Sequence, residues 1–181
     1  MNDPHLPLRT LTEDLEGRWT STPPQTVRSV SIDSRRVEPD SWFVALPGET
    51  THGHEYLEDA REGGAIGAIV EEPQHSELPE FVVADAARTL QDLSVRYCGS
   101  LTSSFRIGIT GTAGKTTVKT MLASILETQY RTGSTVGNRN NHLGVPLTLL
   151  NEAHGEMLVA EIATNAPGEI HTLSRWLKPH V

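Results

Sequence analysis

Cysteine is nearly absent from this 181-residue chain, where Cys98 stands alone. No intrachain disulfide can form, so folding has to rest on a packed core, and a reducing compartment is no obstacle. Aromatic residues make up only 5% of the sequence and apolar residues 36%. No apolar run approaches the length that a membrane crossing needs, and the opening MNDPHLPLRT carries no apolar targeting core. The expected location is the cytoplasm. Positive charge is also scarce: 15 Lys and Arg against 23 Asp and Glu leave a net charge of −8. That balance argues against general nucleic-acid binding, so any anionic ligand has to be gripped locally. Internal repeats, low-complexity tracts and heptads are missing too. The length suits one to two domains with a real core.

The most specific stretch present is RIGITGTAGKTTVKTMLASIL, from residue 106. Arg106 to Thr110 is a short strand-like run, and Gly111 begins a tight turn. After Gly114-Lys115-Thr116-Thr117, the apolar Val118, Met121, Leu122, Ile125 and Leu126 keep helical spacing. A Gly-containing turn that opens a helix aims backbone N–H groups and the positive helix end at an anion. The expected ATP-binding residues are Gly111, Thr112, Ala113, Gly114, Lys115, Thr116 and Thr117. Lys115 adds a point charge for the outer phosphates, and the Thr116 hydroxyl can hold Mg²⁺. The common phosphate-loop pattern wants Gly where Ile109 stands, so this is a shortened form. The bland alternative is an ordinary helix start.

The rest reads as alternating elements. Residues 1–26 are polar and Pro-bearing, with Thr22-Pro23-Pro24 as a connector. Strands are expected over Val27–Ile32, Trp42–Leu46, Ala65–Val70 and Phe81–Ala84, and helices over Tyr56–Glu62 and Ala86–Tyr97. Gly99–Ser104 is a small-residue linker. Beyond the phosphate loop come an Asn-rich loop, a helix-compatible stretch around Leu147, a strand Met157–Ile162 and a helix Ile170–Leu177. The fold class is α/β: a small α/β amino-terminal domain over 27–99, then the start of a parallel-sheet P-loop nucleotide-binding domain over 105–181. Only two clear parallel strands are visible in the latter, where a doubly wound sheet usually has about five or six.

Three blocks resemble the Mur ligases, the ATP-dependent amino-acid and peptide ligases of peptidoglycan precursor synthesis. They are SIDSRRVEPDSWFVALPGETTHGHEYL (31–57), ITGTAGKTT (109–117), and GNRNNHLGVPLTLL (137–150) with EIATNAPGEI (161–170). The Asn-rich block is similar to the branch that joins D-alanyl-D-alanine to UDP-N-acetylmuramoyl-tripeptide. The resemblance covers the chain from about residue 27, whereas the rest of the family's central domain and its carboxy-terminal domain have no counterpart. It implies ATP and Mg²⁺ as cofactors, UDP-N-acetylmuramoyl-peptide and D-alanyl-D-alanine as partners, and amide formation through an acyl phosphate. It also implies that these residues alone are inactive.

By that resemblance Lys115, Glu161 and His142 are the catalytic candidates, and Thr116 and Glu161 the metal ligands. Glu161 ends its strand on the edge where a parallel sheet places the phosphate turn; the alternative is a solvated strand-end acid. His142 could contact the metal shell, a phosphate or the acyl substrate, or be a structural loop histidine. Ser34, Arg35, Asn138, Asn140 and Asn141 are the UDP-sugar candidates. Arg suits phosphate through its forked donors, and the asparagines are otherwise turn-formers. His5, His75, His154, His171 and His180 show no zinc-ligand spacing and carry no expected role. Two other readings stay open: a different Mur-type amino-acid ligase, and a non-catalytic ATP- and UDP-sugar-binding module.

Overall fold

A computed structural model describes residues 6–48, 51–164 and 166–181. His5 and Asn165 (the latter in the EIATNAPGEI block) lie outside the described residues. The chain is α/β and divides into two compact units, Met1–Leu90 and Gln91–Val181.

The first unit is built on a five-stranded sheet. Its strands are β1 (Gly17–Trp19), β2 (Ser29–Ser31), β3 (Ser41–Val44), β4 (Ala65–Val70) and β5 (Glu80–Val83), in the order β1-β5-β4-β3-β2. Strands β2 to β5 pair in parallel, and β1 lies antiparallel on β5. The near-continuous apolar run of β4 suits a central parallel strand covered on both faces. Trp42, Phe43, Ile69 and Phe81 are fully buried, and Trp19 stacks on Trp42 with ring centroids 5.7 Å apart. A Cβ on Gly17 would meet the Phe81 ring at 2.5 Å, so only glycine lets β1 lie across that ring.

Residues 6–26 therefore do more than the polar connector read from the sequence. Leu6, Leu8 and Leu11 are buried, Leu6 bridges to Val27, and Leu8–Thr12 forms a short helix, α1. Helix α2 (Leu57–Glu62) is shorter than the expected Tyr56–Glu62 because a 3-10 turn, Gly53–Tyr56, precedes it. His52 and Glu55 cap that turn reciprocally. Beside it, His54 Nε2 accepts a hydrogen bond from the Glu71 N–H at 3.2 Å.

Helix α3 (Ala86–Ser100) leads into the second unit. Its sheet holds β6 (Phe105–Ile109), β7 (Thr132–Ser134) and β8 (Met157–Glu161), all parallel, in the order β6-β8-β7. The sequence showed two of these. The third, β7, is Thr-Gly-Ser, too short and too polar to carry a period. Helices α4 (Lys115–Leu126), α5 (Gly144–Glu152) and α6 (Glu169–Leu177) complete the unit. Cys98, Val145, Leu149, Leu158, Leu173 and Leu177 form its core. On the outer side of β6, the His180 N–H donates to the Arg106 carbonyl (2.7 Å), and the Gly108 N–H to that of Val181 (2.9 Å).

Helix α4 leaves part of its apolar face exposed. Val118, Met121 and Ile125 are 52, 61 and 64% exposed, whereas Lys119 and Ala123 are buried at 6 and 5%. Lys119 and Ala123 are the buried residues of the helix, and Leu122 and Leu126 are half-buried. Among the described residues no helix is long and apolar enough to cross a membrane.

Candidate active site

Strand β6 ends at Ile109, and Gly111 and Gly114 turn the chain with φ of 149° and 80°. A Cβ on Gly114 would meet nothing within 4 Å, so left-handed backbone rather than space demands glycine there. No side-chain hydrogen bond caps the start of α4, where a helix carries N–H groups without intrahelical partners. Lys115 Nζ donates to the Gly111 carbonyl at 2.7 Å, so the cationic side chain folds back over the loop.

Across the sheet, Ile109 and Glu161 are register partners, which brings the end of β8 beside the loop. Glu161 is only 3% exposed, and its two carboxylate oxygens are separately held. Thr116 Oγ1 donates to Oε2 at 3.0 Å, and Asn140 Nδ2 donates to Oε1 at 2.9 Å. The Glu161 N–H donates to Thr135 Oγ1 at 3.0 Å, and the Ala163 N–H to the Asn140 carbonyl at 2.9 Å. Glu161 is thus a buried joint between phosphate loop and asparagine loop rather than a solvated strand-end acid.

The three asparagines divide in function. Asn140 holds Glu161, and Asn141 Oδ1 accepts from the N–H groups of Leu143 and Gly144 at 3.1 and 2.9 Å, which starts α5. Asn138 lines the cleft. His142 is exposed on the same wall, and its carbonyl accepts from Gln91 Nε2 at 3.3 Å. Lys115, Asn138, Asn140, Asn141, His142 and Glu161 together line an open cleft of about 700 Å³, with Pro167, Gly168 and Thr172 also in its lining. Thr116 and Glu161 offer oxygen donors alone, the chemistry that Mg²⁺ prefers. The described residues hold no cluster of three His, Cys, Asp or Glu.

Ser34 and Arg35 belong to the first unit, in a 3-10 turn, Ser34–Arg36. They line a separate cleft of about 610 Å³ with Asp33, Phe43, Leu46 and Tyr56. Asp33 holds Arg35 in place: Nε reaches Oδ1 at 2.8 Å and Nη2 reaches Oδ2 at 3.0 Å. The Arg35 hydrogen bonds and charge keep the Asp33 carboxyl below its usual range. Sequence reasoning missed Lys119 and Thr135, although Lys119 follows Thr116 by three residues on one helix face.

Residues 109–181 match the model for the Mur ligase middle domain, and 26–105 that for the Mur ligase family, catalytic domain. The chain belongs to the Mur ligases. Among curated relatives, the UDP-N-acetylmuramoyl-tripeptide--D-alanyl-D-alanine ligase of Treponema pallidum is 37% identical over 83% of this chain and 36% of its own. That of Bacillus subtilis is 39% identical over 84% of this chain and 34% of its own. Among solved Mur ligases, MurF from Acinetobacter baumannii is similar over 99% of this chain and 40% of its own, with a TM-score of 0.84 and 34% identity. MurF from Thermotoga maritima, solved in complex with ADP, is similar over 84% of this chain and 36% of its own, with a TM-score of 0.70 and 32% identity. The chain spans about a third of the length of the curated Mur ligases it matches.

Proposed function

We propose that this chain carries the uridine-nucleotide and phosphate-gripping parts of an ATP-dependent ligase that adds D-alanyl-D-alanine to UDP-N-acetylmuramoyl-tripeptide in the cytoplasm. One observation carries the reading: buried Glu161 is held between Thr116 of the phosphate loop and Asn140 of the asparagine loop, in one cleft with Lys115. In such a reaction a substrate carboxylate oxygen attacks the γ-phosphorus of ATP, the bond to the leaving ADP oxygen breaks, and an acyl phosphate forms. The amine nitrogen of the dipeptide then attacks the acyl carbon, phosphate leaves, and the nitrogen loses a proton. Phosphoryl transfer asks the protein mainly for positioning and charge neutralisation. N–H groups from Thr112 to Thr116 cradle the phosphates, and Lys115 leaves Gly111 to meet the charge on the transferred group. Bound Mg²⁺ would neutralise phosphate charge, held by Thr116 and Glu161. His142, on the cleft wall, is free to orient the acyl group. Ser34 and Arg35 take the uridine nucleotide, with Arg35 held ready by Asp33.

The test has two parts. Calorimetry of the purified chain should register Mg·ATP and UDP-N-acetylmuramoyl-tripeptide separately, with Arg35→Ala weakening only the second. Incubation with both, D-alanyl-D-alanine and Mg²⁺ should yield no UDP-pentapeptide by mass spectrometry. The chain spans about a third of its relatives' length and its described clefts are assigned to the two nucleotides, so nothing here holds the amine, and misplacement by about 1 Å already costs roughly a hundredfold. Failure to bind either nucleotide sinks the reading. Turnover above a Lys115→Ala control would show a complete ligase, and binding without turnover by any added carboxy-terminal part would favour a non-catalytic module.

A further inference from the structure

Lys119 is buried on α4, one turn beyond Thr116 and facing the sheet. Burying an ammonium costs several kcal/mol unless its contacts compensate, so a lysine here is not idle packing. Its Nζ donates to the carbonyl of Thr135 at 2.6 Å. Thr135 is itself 2% exposed and is gripped on two further sides. Its N–H donates to the Val159 carbonyl at 3.1 Å, and its Oγ1 accepts from the Glu161 N–H at 3.0 Å. From Thr135 the chain passes through Gly137, with φ of 56°, into Asn138 and Asn140. Asn140 returns to the Glu161 carboxylate. One residue thus governs both the backbone of Glu161 and the entry to the loop that holds its side chain.

We propose that Lys119 is a positioning residue that sets the Glu161 carboxylate for Mg²⁺ by anchoring Thr135. This rests on the reading of Thr116 and Glu161 as the metal-facing pair. Lys119 takes up neither carboxylate oxygen: it acts on a carbonyl one link away, and the two oxygens keep their bonds to Thr116 and Asn140. Groups that orient a metal ligand from behind typically change metal affinity by about ten- to a hundredfold.

The experiment compares ATP affinity with Mg²⁺ and with chelator in the wild-type chain, Lys119→Met, Thr135→Val, their double variant and Glu161→Gln. The methionine keeps the stem without the amine, and the valine keeps the shape without the hydroxyl. Lys119→Met should lose the Mg²⁺ enhancement by about tenfold or more while chelator affinity stays near wild type. The double variant should lose little beyond the worse single one, since both act through one chain of contacts. Nuclear magnetic resonance should show the Asn140 side-chain amide and the Glu161 backbone amide displaced in Lys119→Met without nucleotide. If Lys119→Met does not fold, Lys119→Leu, which also lacks a donor, carries the same comparison. Full Mg²⁺ enhancement in the Lys119 variant beside a loss in Glu161→Gln overturns the positioning role and leaves the metal site standing. Retention in Glu161→Gln as well overturns the metal reading itself, and fully additive losses break the link through Thr135.

Discussion

Replacing Lys115 with alanine should weaken ATP binding by less than the full worth of a charged contact. A hydrogen bond to a charged group is typically worth about 1.5–3 kcal/mol. In the free chain, however, Lys115 Nζ already donates to the Gly111 carbonyl at 2.7 Å, and that bond has to break before the ammonium reaches a phosphate. The Gly111 bond is solvent-exposed, which puts its worth near the low end of the range for neutral acceptors, about 0.5–1 kcal/mol. The difference leaves about 1–2 kcal/mol, or roughly five- to thirtyfold in Kd. Loss of the exposed Gly111 bond in the variant should lower thermal stability by no more than about 1 kcal/mol. The effect should also be graded along the nucleotide, because the lysine reaches the outer phosphates. ATP and ADP should lose affinity while AMP keeps its own. Titrations followed through backbone amide signals cope with weak binding and report folding in the same spectra. Equal ATP affinity in both proteins, or an equal loss for AMP, would refute the assignment of Lys115.

Gly144→Ala should destabilise the second unit, because its Cβ would come within 2.3 Å of the Arg139 backbone. Overpacking of this kind typically costs about 1–3 kcal/mol, which differential scanning calorimetry should record as a drop on the order of 5–20 °C; an unchanged melt would show that the asparagine loop yields freely. The second prediction concerns acid. Burial, then the charge of His52, lower the pKa of His54 against the opposing pull of Glu71, Glu72 and Glu80. A folded-state pKa below the unfolded value of 6.5 means that unfolding takes up the proton, so His54 contributes stability above 6.5 that is lost as pH falls below it. Protonated Nε2 can no longer accept from Glu71. Melting temperatures between about pH 7.5 and 5.5 should fall less steeply in His54→Gln, and identical slopes would exclude this histidine.

Much of this molecule was legible where local chemistry and fold agree. Ala65–Val70 reads as a buried parallel strand because every residue in it is apolar or glycine, and it is one. Gly111 and Gly114 mark the phosphate turn because the backbone there reaches positive φ. The harder parts depend on distant partners. Strand β1 contains only Gly17, Arg18 and Trp19, and its place follows from β5, far along the chain. Lys119 is charged, so periodicity assigns it to solvent, and its burial is legible only once Thr135 is opposite. Val118, Met121 and Ile125 keep helical spacing yet are exposed, which the spacing alone does not reveal. The site divided likewise. Thr116 and Glu161 were recognisable as a pair from the motif and the strand end, whereas the separate tasks of Asn140 and Asn141 follow from neighbours that the spacing does not reveal.

Strand β6 has a consequence for the order of events in folding. Its neighbours in the sheet come from much later in the chain: Phe105 pairs with Met157, and Arg106 bonds to His180, 74 positions away. Loops of that length close slowly compared with a helical turn, so the pairing that shapes the phosphate loop belongs to the late, non-local part of assembly. Contacts formed after the rate-limiting step change the rate of unfolding and leave the rate of folding nearly untouched. Nucleotide bound at Gly111–Thr117 should therefore lengthen the lifetime of the folded unit without hastening its formation. Stopped-flow refolding with and without ATP checks this, and acceleration by nucleotide would place the loop in the folding nucleus instead.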